Sequence, residues 1–207
     1  DPIDETNDTT PTITGKTEPG STVNVEVKDK DGKVVAEGPA TVAEDGTWSF
    51  TPTTPLPEGD YTVEAVATDD KNNSSNPATE AFEVDTTGPV VTIDPLDATN
   101  DQTPEVTGKT EPGSTVDVQI KDKDGNVVAE GTATVGEDGT WSYTPTEELP
   151  EGEYTVDATA KDPAGNETDA TPEALVIDTT PPVITIDPPV ETKDTTPEIT
   201  GTTEPGA

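Results

Sequence analysis

The feature that most constrains the fold is an internal repeat with a period of 93 residues. Asp1-Pro2-Ile3-Asp4 recurs as Asp94-Pro95-Leu96-Asp97 and again as Asp187-Pro188-Pro189-Val190. Residues 1–93 and 94–186 align without a gap, and roughly two positions in three are identical. A fixed period of this length indicates one structural unit repeated along the chain.

The repeat also sets the predicted domain organisation. Residues 1–88 form the first repeat, with its first strand missing, and residues 89–181 form the second. Residues 182–207 are the truncated start of a third repeat. We therefore expect the chain to be a window on a longer array, in which each repeat has its neighbours as partners.

Each repeat predicts short strands separated by turns. Val23-Asn24-Val25-Glu26-Val27 alternates apolar and polar residues, as a strand with one buried face does. Asp31-Gly32 and Asp124-Gly125 are typical hairpin turns. In the second repeat we predict strands near residues 89–94, 103–110, 115–121, 127–135, 140–146, 153–161 and 173–178.

Seven short strands in a repeat of 93 residues predict an all-β immunoglobulin-like sandwich, with a small barrel as the alternative. The chain is then a tandem array of sandwiches placed end to end. The inward strand positions give the expected core of the first repeat, with counterparts in the second: Ile13, Val23, Val25, Val27, Trp48, Phe50, Tyr61, Val63, Ala65, Phe82 and Val84.

The charge of the chain excludes two classes of partner. It has 45 acidic and 10 basic side chains and a formal net charge of −35. Nucleic acids and anionic lipids require clusters of Lys or Arg, which this sequence lacks. No stretch approaches 18 apolar residues, so we expect no membrane insertion. The surplus of carboxylates favours cations instead.

The residue types present also argue against catalysis. The sequence has no His, Cys or Arg, which removes nucleophile triads, zinc–thiolate sites and disulfides. Carboxylate pairs arise by chance among so many acidic residues. We therefore predict that the chain is not an enzyme. A sugar- or protein-binding module is the main rival to a structural role, although the few aromatic residues stand at inward strand positions.

Several recurring motifs resemble one known family. They are Val84-Asp85-Thr86-Thr87-Gly88-Pro89, Thr10-Pro11-Thr12-Ile13-Thr14-Gly15, Gly46-Thr47-Trp48-Ser49 and Lys161-Asp162-Pro163-Ala164-Gly165-Asn166. In this order they resemble the bacterial immunoglobulin-like repeats of giant RTX adhesins, which Gram-negative bacteria export by type I secretion. The resemblance implies an extracellular, monomeric extender at the cell surface, which carries an adhesive tip and is stiffened by calcium at its interdomain linkers.

The order of the strands places three carboxylate-bearing segments at the junction of the first two repeats. Loops alternate between the two ends of a sandwich, so the hairpin of one repeat faces the sixth-strand loop of the next. Calcium takes six to eight oxygen ligands. The predicted ligands at this junction are Asp29, Asp31, Asp85, Asp162 and the carbonyl of Asn166. The predicted ligands at the following junction are Asp122, Asp124 and Asp178.

Plainer interpretations of the same residues stay open. Asp-x-Asp-Gly is also an ordinary hairpin turn, and Asp85 and Asp178 are also placed to cap strand ends. Asp69, the counterpart of Asp162, is the predicted calcium ligand in the same loop of the first repeat, although that loop departs from the Asp-Pro-Ala-Gly-Asn form. An EF-hand is rejected because Gly38 stands where that motif requires its final Glu.

Overall fold

The computed structural model describes residues 4–188 and 191–205, and this part of the chain consists of strands and connecting loops without a helix. The strands of the first repeat are β1 (Glu5–Thr6), β2 (Ile13–Lys16), β3 (Thr22–Asp29), β4 (Val34–Pro39), β5 (Thr41–Val42), β6 (Thr47–Phe50), β7 (Gly59–Thr68) and β8 (Ala78–Val84). Those of the second are β9 (Val91–Ile93), β10 (Val106–Thr110), β11 (Thr115–Asp122), β12 (Val127–Thr132), β13 (Thr134–Val135), β14 (Thr140–Tyr143), β15 (Gly152–Lys161), β16 (Glu167–Asp169) and β17 (Glu173–Ile177). The third contributes β18 (Ile184–Ile186) and β19 (Gly201–Thr203).

Two sheets enclose the core of the first repeat. The larger has the strand order β1-β8-β7-β3-β4 and the smaller the order β2-β6-β5. Along β3, Val23, Val25 and Val27 are at most 2% exposed, while the intervening Asn24 faces solvent. Burial of an apolar side chain of this size contributes about 1.5–3 kcal/mol. The period-two pattern therefore sets which face of the strand meets the opposite sheet.

The second repeat has the same plan with one more strand in its smaller sheet. That sheet has the order β13-β14-β10-β9, and the larger one has the order β12-β11-β15-β16, with β17 also paired to β15. The all-β immunoglobulin-like prediction is confirmed. The two core clusters draw on residues 13–84 and 91–177, whereas the boundaries at residues 88 and 181 stay predictions.

Two details of the second repeat differ from the strand prediction. The segment 127–135 is two strands in opposite sheets, since β12 pairs with β11 and β13 pairs with β14. Ala133 lies between them, buried, and its backbone N–H donates to the Val116 carbonyl at 2.8 Å. In addition, the structure has a strand that the sequence did not predict, β16, which pairs with the end of β15. Three residues are too few to show an alternation of apolar and polar side chains.

The predicted core of the first repeat is confirmed except at Trp48 and Phe50, which are only partly buried. In the second repeat, β9 pairs with β10, and Trp141 is 2% exposed with its Nε1–H donating to the Thr92 carbonyl at 3.1 Å. Among the described residues, no strand covers Trp48 in this way. A groove of about 520 Å³ lies beside the Trp48 ring instead.

A tyrosine anchors the loop that leads into the longest strand of each repeat. The Tyr61 hydroxyl donates to the Pro57 carbonyl at 2.6 Å, and the adjacent Leu56 is 2% exposed. These contacts fix the position of Glu58 beside the end of β8. The second repeat has the same arrangement, formed by Tyr154, Pro150 and Leu149.

The first repeat carries a repulsive arrangement that the second lacks. Glu83 is paired in register with Glu5 on one side and Asp60 on the other. Desolvation raises the pKa of Glu83, and Asp60 and Glu5 raise it further. The counterpart of Glu83 in the second repeat is Val176, which pairs with Glu153.

Replacing Glu83 with valine is therefore expected to raise the thermal midpoint of the first repeat at neutral pH. Because the folded-state pKa is raised, charged Glu83 costs stability above that pKa, and the cost disappears as the pH falls through it towards the ordinary value. The gain from E83V should shrink over that range in thermal unfolding followed by circular dichroism. Glu80→Val adds the same side chain opposite Val63 and serves as the control. An equal gain in thermal midpoint at every pH would show that the strand propensity of valine, and not the removal of a charge, causes the effect.

Candidate functional site

The linker that follows β8 is held by a glutamate of the first repeat. Both Thr86 Oγ1 and Thr87 Oγ1 donate to Glu58 Oε2, at 2.9 and 2.8 Å, and the Thr86 N–H lies 3.3 Å from the same oxygen. The Thr87 N–H donates to Asp85 Oδ1 at 2.9 Å. The hydrogen bonds from Thr87 and Thr86 hold the pKa of Glu58 below its ordinary value, so the glutamate is ionised at neutral pH.

The linker that follows the second repeat has the same local structure. Thr179 Oγ1 donates to Glu151 Oε2 at 2.9 Å, and Thr180 Oγ1 lies 2.8 Å from that oxygen. The Thr180 N–H donates to Asp178 Oδ1 at 3.1 Å. Hydrogen bonds from Thr180 and Thr179 lower the pKa of Glu151. Asp85 and Asp178 thus each turn the chain immediately after the last strand of a repeat.

The loop between β15 and β16 is closed by Asp162. Its Oδ1 accepts the N–H groups of Gly165 and Asn166 at 2.7 and 2.8 Å. Gly165 has a φ of 98°, a conformation that glycine adopts without a steric penalty. Asp162 Oδ2 accepts the Asn166 side-chain amide at 2.9 Å, and this contact fixes the direction of that amide.

Asn166 connects the two repeats. Its Nδ2 donates to the Asp85 carbonyl at 2.9 Å and lies 3.3 Å from the Thr87 carbonyl. The Asn166 side chain therefore reaches from the second repeat to the linker at the end of the first. Three oxygen atoms, two from the linker and one from Asp162, surround a single amide nitrogen.

Two further contacts join the first repeat and its linker to the second repeat. The Asn7 N–H, next to β1 in the first repeat, donates to the Ala164 carbonyl of the second at 3.1 Å. At Gly88, a Cβ atom would overlap Thr168 Oγ1. The linker therefore lies close to the second repeat at this position, and the Thr168 side chain would have to rotate to admit a larger residue.

The repeated sandwich and its linker match a known domain. The profile of the bacterial Ig-like domain matches residues 4–86 and again residues 95–179. The chain belongs to the bacterial Ig-like domain family. Each linker described above spans the C-terminal end of a matched copy.

Several solved structures are similar to this chain. A tetra-tandem repeat in the extending region of a large adhesion protein is 32% identical over 98% of this chain and 54% of its own length, with a TM-score of 0.41. The BSP domain of a biofilm-associated protein is 27% identical over 86% of this chain and 29% of its own, with a TM-score of 0.33. Chicken CNTN1 FN1–FN3, at 16% identity and a TM-score of 0.51 over 86% of this chain and 65% of that one, shows a likeness of fold alone.

This chain spans about half the length of the tetra-tandem repeat that it matches. No curated protein matches it significantly. Within residues 4–188 and 191–205, no helix has the length and apolar character needed to cross a bilayer.

Three of the five residues predicted for the first junction of these Ig-like repeats lie together: Asp85, Asp162 and Asn166. Their arrangement differs in one respect from the prediction. The Asn166 main-chain carbonyl accepts the Asp162 N–H at 3.1 Å within the loop, and the side-chain amide faces the linker. Strand order was sufficient to predict that these segments meet, but not which Asn166 atom makes the contact.

The first acidic hairpin has a clear local role. Asp29 Oδ1 accepts the N–H groups of Asp31 and Lys33, each at 3.0 Å. Asp29 also contributes to raising the Tyr61 pKa, after desolvation, so its carboxylate lies at the same end of the repeat as the tyrosine. Across the described residues, no three acidic side chains form a group able to hold a metal.

The second hairpin is closed by an amide. Asn126 Nδ2 donates to Asp122 Oδ2 at 2.9 Å, and this side chain is the main reason that the pKa of Asp122 is lowered. Asp124 pairs with the neighbouring Lys123 at 3.2 Å. Both contacts are those of an ordinary turn, the interpretation that the sequence left open beside metal binding.

Asp69 and Asn73 reproduce the loop of Asp162 and Asn166 despite the different sequence between them. Asp69 Oδ2 accepts the Asn73 side-chain amide at 2.8 Å, which is the main cause of a lowered Asp69 pKa. Asn72 has a φ of 65° and takes the left-handed conformation that Gly165 has in the second repeat. The first repeat thus presents the same loop at its N-terminal end.

Sequence reasoning missed Glu58, Glu151 and Asn7 as linker contacts. The two glutamates do not stand out in the sequence, because each is one of many acidic residues in a loop. The available signal was that Leu56-Pro57-Glu58-Gly59 recurs unchanged as Leu149-Pro150-Glu151-Gly152. Asn7 contributes only a backbone N–H, for which side-chain identity gives no signal.

Proposed function

We propose that this chain is a structural extender of a bacterial cell-surface adhesin. Calcium bound at the interdomain linkers stiffens successive Ig-like repeats, and the array projects an adhesive tip from the cell. The observation that carries the proposal is the contact of Asn166, in one repeat, with the linker of the other. A linker held from both sides is what a spacer needs to keep its repeats aligned.

Several features support a spacer over a binding module or an enzyme. The family consists of Ig-like domains, and the 32% identical relative comes from a region described as extending. Sugar-binding modules use exposed aromatic platforms, whereas every aromatic side chain here is buried or partly buried. The net charge of −35 keeps such a chain soluble and monomeric. An extracellular position at a Gram-negative cell surface, reached by type I secretion, completes the proposal.

The chemistry of the junction supports calcium as the ligand. Calcium prefers carboxylate and carbonyl oxygens, and the Asp85 carbonyl, the Thr87 carbonyl and Asp162 Oδ2 surround the Asn166 amide. A rotation of this amide that exchanges its nitrogen for its oxygen adds a fourth oxygen to the set. The Asp85 carboxylate, on the same linker, adds the negative charge that a divalent cation requires. Asp178 is the corresponding ligand at the next junction, and Asp69 is the corresponding ligand at the N-terminal end of the first repeat.

Calcium titration calorimetry on the whole chain tests this proposal. We expect binding with a dissociation constant of about 10⁻⁴–10⁻³ M, the range of extracellular calcium modules. At free calcium about ten times that constant, each site adds about 1.4 kcal/mol to the free energy of unfolding. Asp162→Asn and Asp85→Asn should each remove one binding event.

Asp94→Asn is the matched control, because Asp94 Oδ2 accepts the Thr107 hydroxyl at 2.7 Å and lies outside the junction. This variant should bind calcium as the wild type does. Equal affinity in Asp162→Asn and the wild type would place calcium elsewhere, and an absence of heat at millimolar calcium would remove calcium from the proposal.

A further inference from the structure

The linker between the first two repeats is held on both sides by side chains of opposite hydrogen-bonding character. On one side, the ionised carboxylate of Glu58 accepts the hydroxyl groups of Thr86 and Thr87. On the other side, the Asn166 amide donates to the carbonyls of Asp85 and Thr87. Thr87 therefore bonds to one repeat through its hydroxyl and to the other through its carbonyl.

We propose that Glu58 and Asn166 form a linker clamp, which orients the second repeat on the first without a bound metal. The clamp rests on the proposed extender function and deepens it: the Asn166 amide holds the joint when no calcium is bound, and rotation of the amide exchanges these hydrogen bonds for calcium ligands. Glu58 and Asn166 are its positioning residues, and Asp85–Thr87 is the segment that they hold.

Each half of the clamp is preorganised. Asp162 accepts two hydrogen bonds from Asn166, one from its backbone N–H and one from its side-chain amide, so little side-chain freedom remains to be lost on contact. Glu58 follows a loop that the Tyr61 hydroxyl anchors. Hydrogen bonds to a carboxylate are roughly twice as strong as neutral ones.

The clamp is a repeated device. Glu151 holds Thr179 and Thr180 as Glu58 holds its linker, which supplies the glutamate half at the second junction. Asp69 and Asn73 form the amide half at the N-terminal end of the first repeat. Each repeat therefore carries an amide half at one end and a glutamate half at the other.

The clamp is tested by NMR residual dipolar couplings of the whole chain in a calcium chelator. Two repeats held in a fixed orientation align with one common tensor, whereas independently moving repeats give tensors of different magnitude. We expect a common tensor in the wild type and its loss in Glu58→Ala, in Asn166→Ala and in the pair Thr86→Val with Thr87→Val. Glu58→Gln keeps an acceptor oxygen and should retain part of the common alignment.

Two control variants separate orientation from local folding. Asn73→Ala opens the same type of loop in the first repeat, and Glu44→Ala removes an exposed carboxylate from the turn before β6. Both should keep the common tensor, and the thermal midpoint of each repeat is measured in every variant. Separate tensors in the wild type, a common tensor in Asn166→Ala, or equal losses in Asn73→Ala and Asn166→Ala would each overturn the clamp. Because no calcium is present, failure of the calcium proposal leaves this result unaffected.

Discussion

Trp141→Ala is expected to unfold the second repeat under conditions in which the first stays folded. The Trp141 ring is 2% exposed, and its Nε1–H donates to the Thr92 carbonyl in β9. Truncating a buried Trp to Ala costs about 3–5 kcal/mol, against a total of about 5–15 kcal/mol for a domain. The truncation also removes the side-chain hydrogen bond to β9, which is otherwise held by its backbone pairing with β10. Urea unfolding, followed through resolved NMR signals of each repeat, measures the effect.

Trp48→Ala is the matched control at the same position of the first repeat. Trp48 is only partly buried, and no strand among the described residues covers it as β9 covers Trp141. Its truncation should therefore cost less than that of Trp141. Equal costs would mean that the cover provided by β9 adds nothing to the contribution of Trp141 to stability.

Gly139→Ala is expected to destabilise the second repeat by about 3 kcal/mol, from overpacking combined with left-handed strain. Gly139 has a φ of 77°, and a Cβ atom there would overlap the Thr110 carbonyl. The backbone cannot easily move aside, because the Thr110 N–H donates to the Gly139 carbonyl at 2.8 Å. Urea unfolding followed by Trp141 fluorescence, in a Trp48→Phe background, reports this repeat alone.

Gly125→Ala separates strain from overlap. Gly125 has a φ of 83°, but no atom lies within 4 Å of a Cβ built there. Its substitution carries only the cost of the left-handed backbone, about 1 kcal/mol. Similar losses of unfolding free energy in Gly125→Ala and Gly139→Ala would show that backbone strain, and not overlap with Thr110, causes most of the loss at Gly139.

The sequence was a good guide to the parts of the fold that depend on period-two alternation. Val23, Val25 and Val27 alternate with polar residues and are buried as predicted. Leu56, also buried, was missed because it lies in a loop where no alternation operates. Trp48 was predicted to be as buried as Trp141, since the sequence gives a residue's face but not whether a neighbouring strand covers it.

The sequence also predicted part of the candidate site. Strand order places the segments of Asp85 and Asp162 at one junction, and the structure brings them together through Asn166. The acidic hairpin of Asp29 was less informative, because turn formation and metal binding use the same residues. Glu58 was missed because its role depends on the hydroxyls of two threonines that lie 28 and 29 residues away.

The central claim is that the linker is a joint that calcium makes rigid, and a distance distribution between the two repeats tests it most directly. The chain has no cysteine, so Glu37→Cys and Glu130→Cys, at exposed positions of β4 and β12, attach one spin label to each repeat. In pulsed electron–electron double resonance, we predict one narrow distance distribution in calcium and, in chelator, a wider distribution about the same mean distance, because the clamp alone then sets the orientation. In Asp162→Asn the distribution should be broad even with calcium, because Asp162 also orients Asn166. A broad distribution of the wild type in calcium, or the same width with and without calcium, would contradict the account.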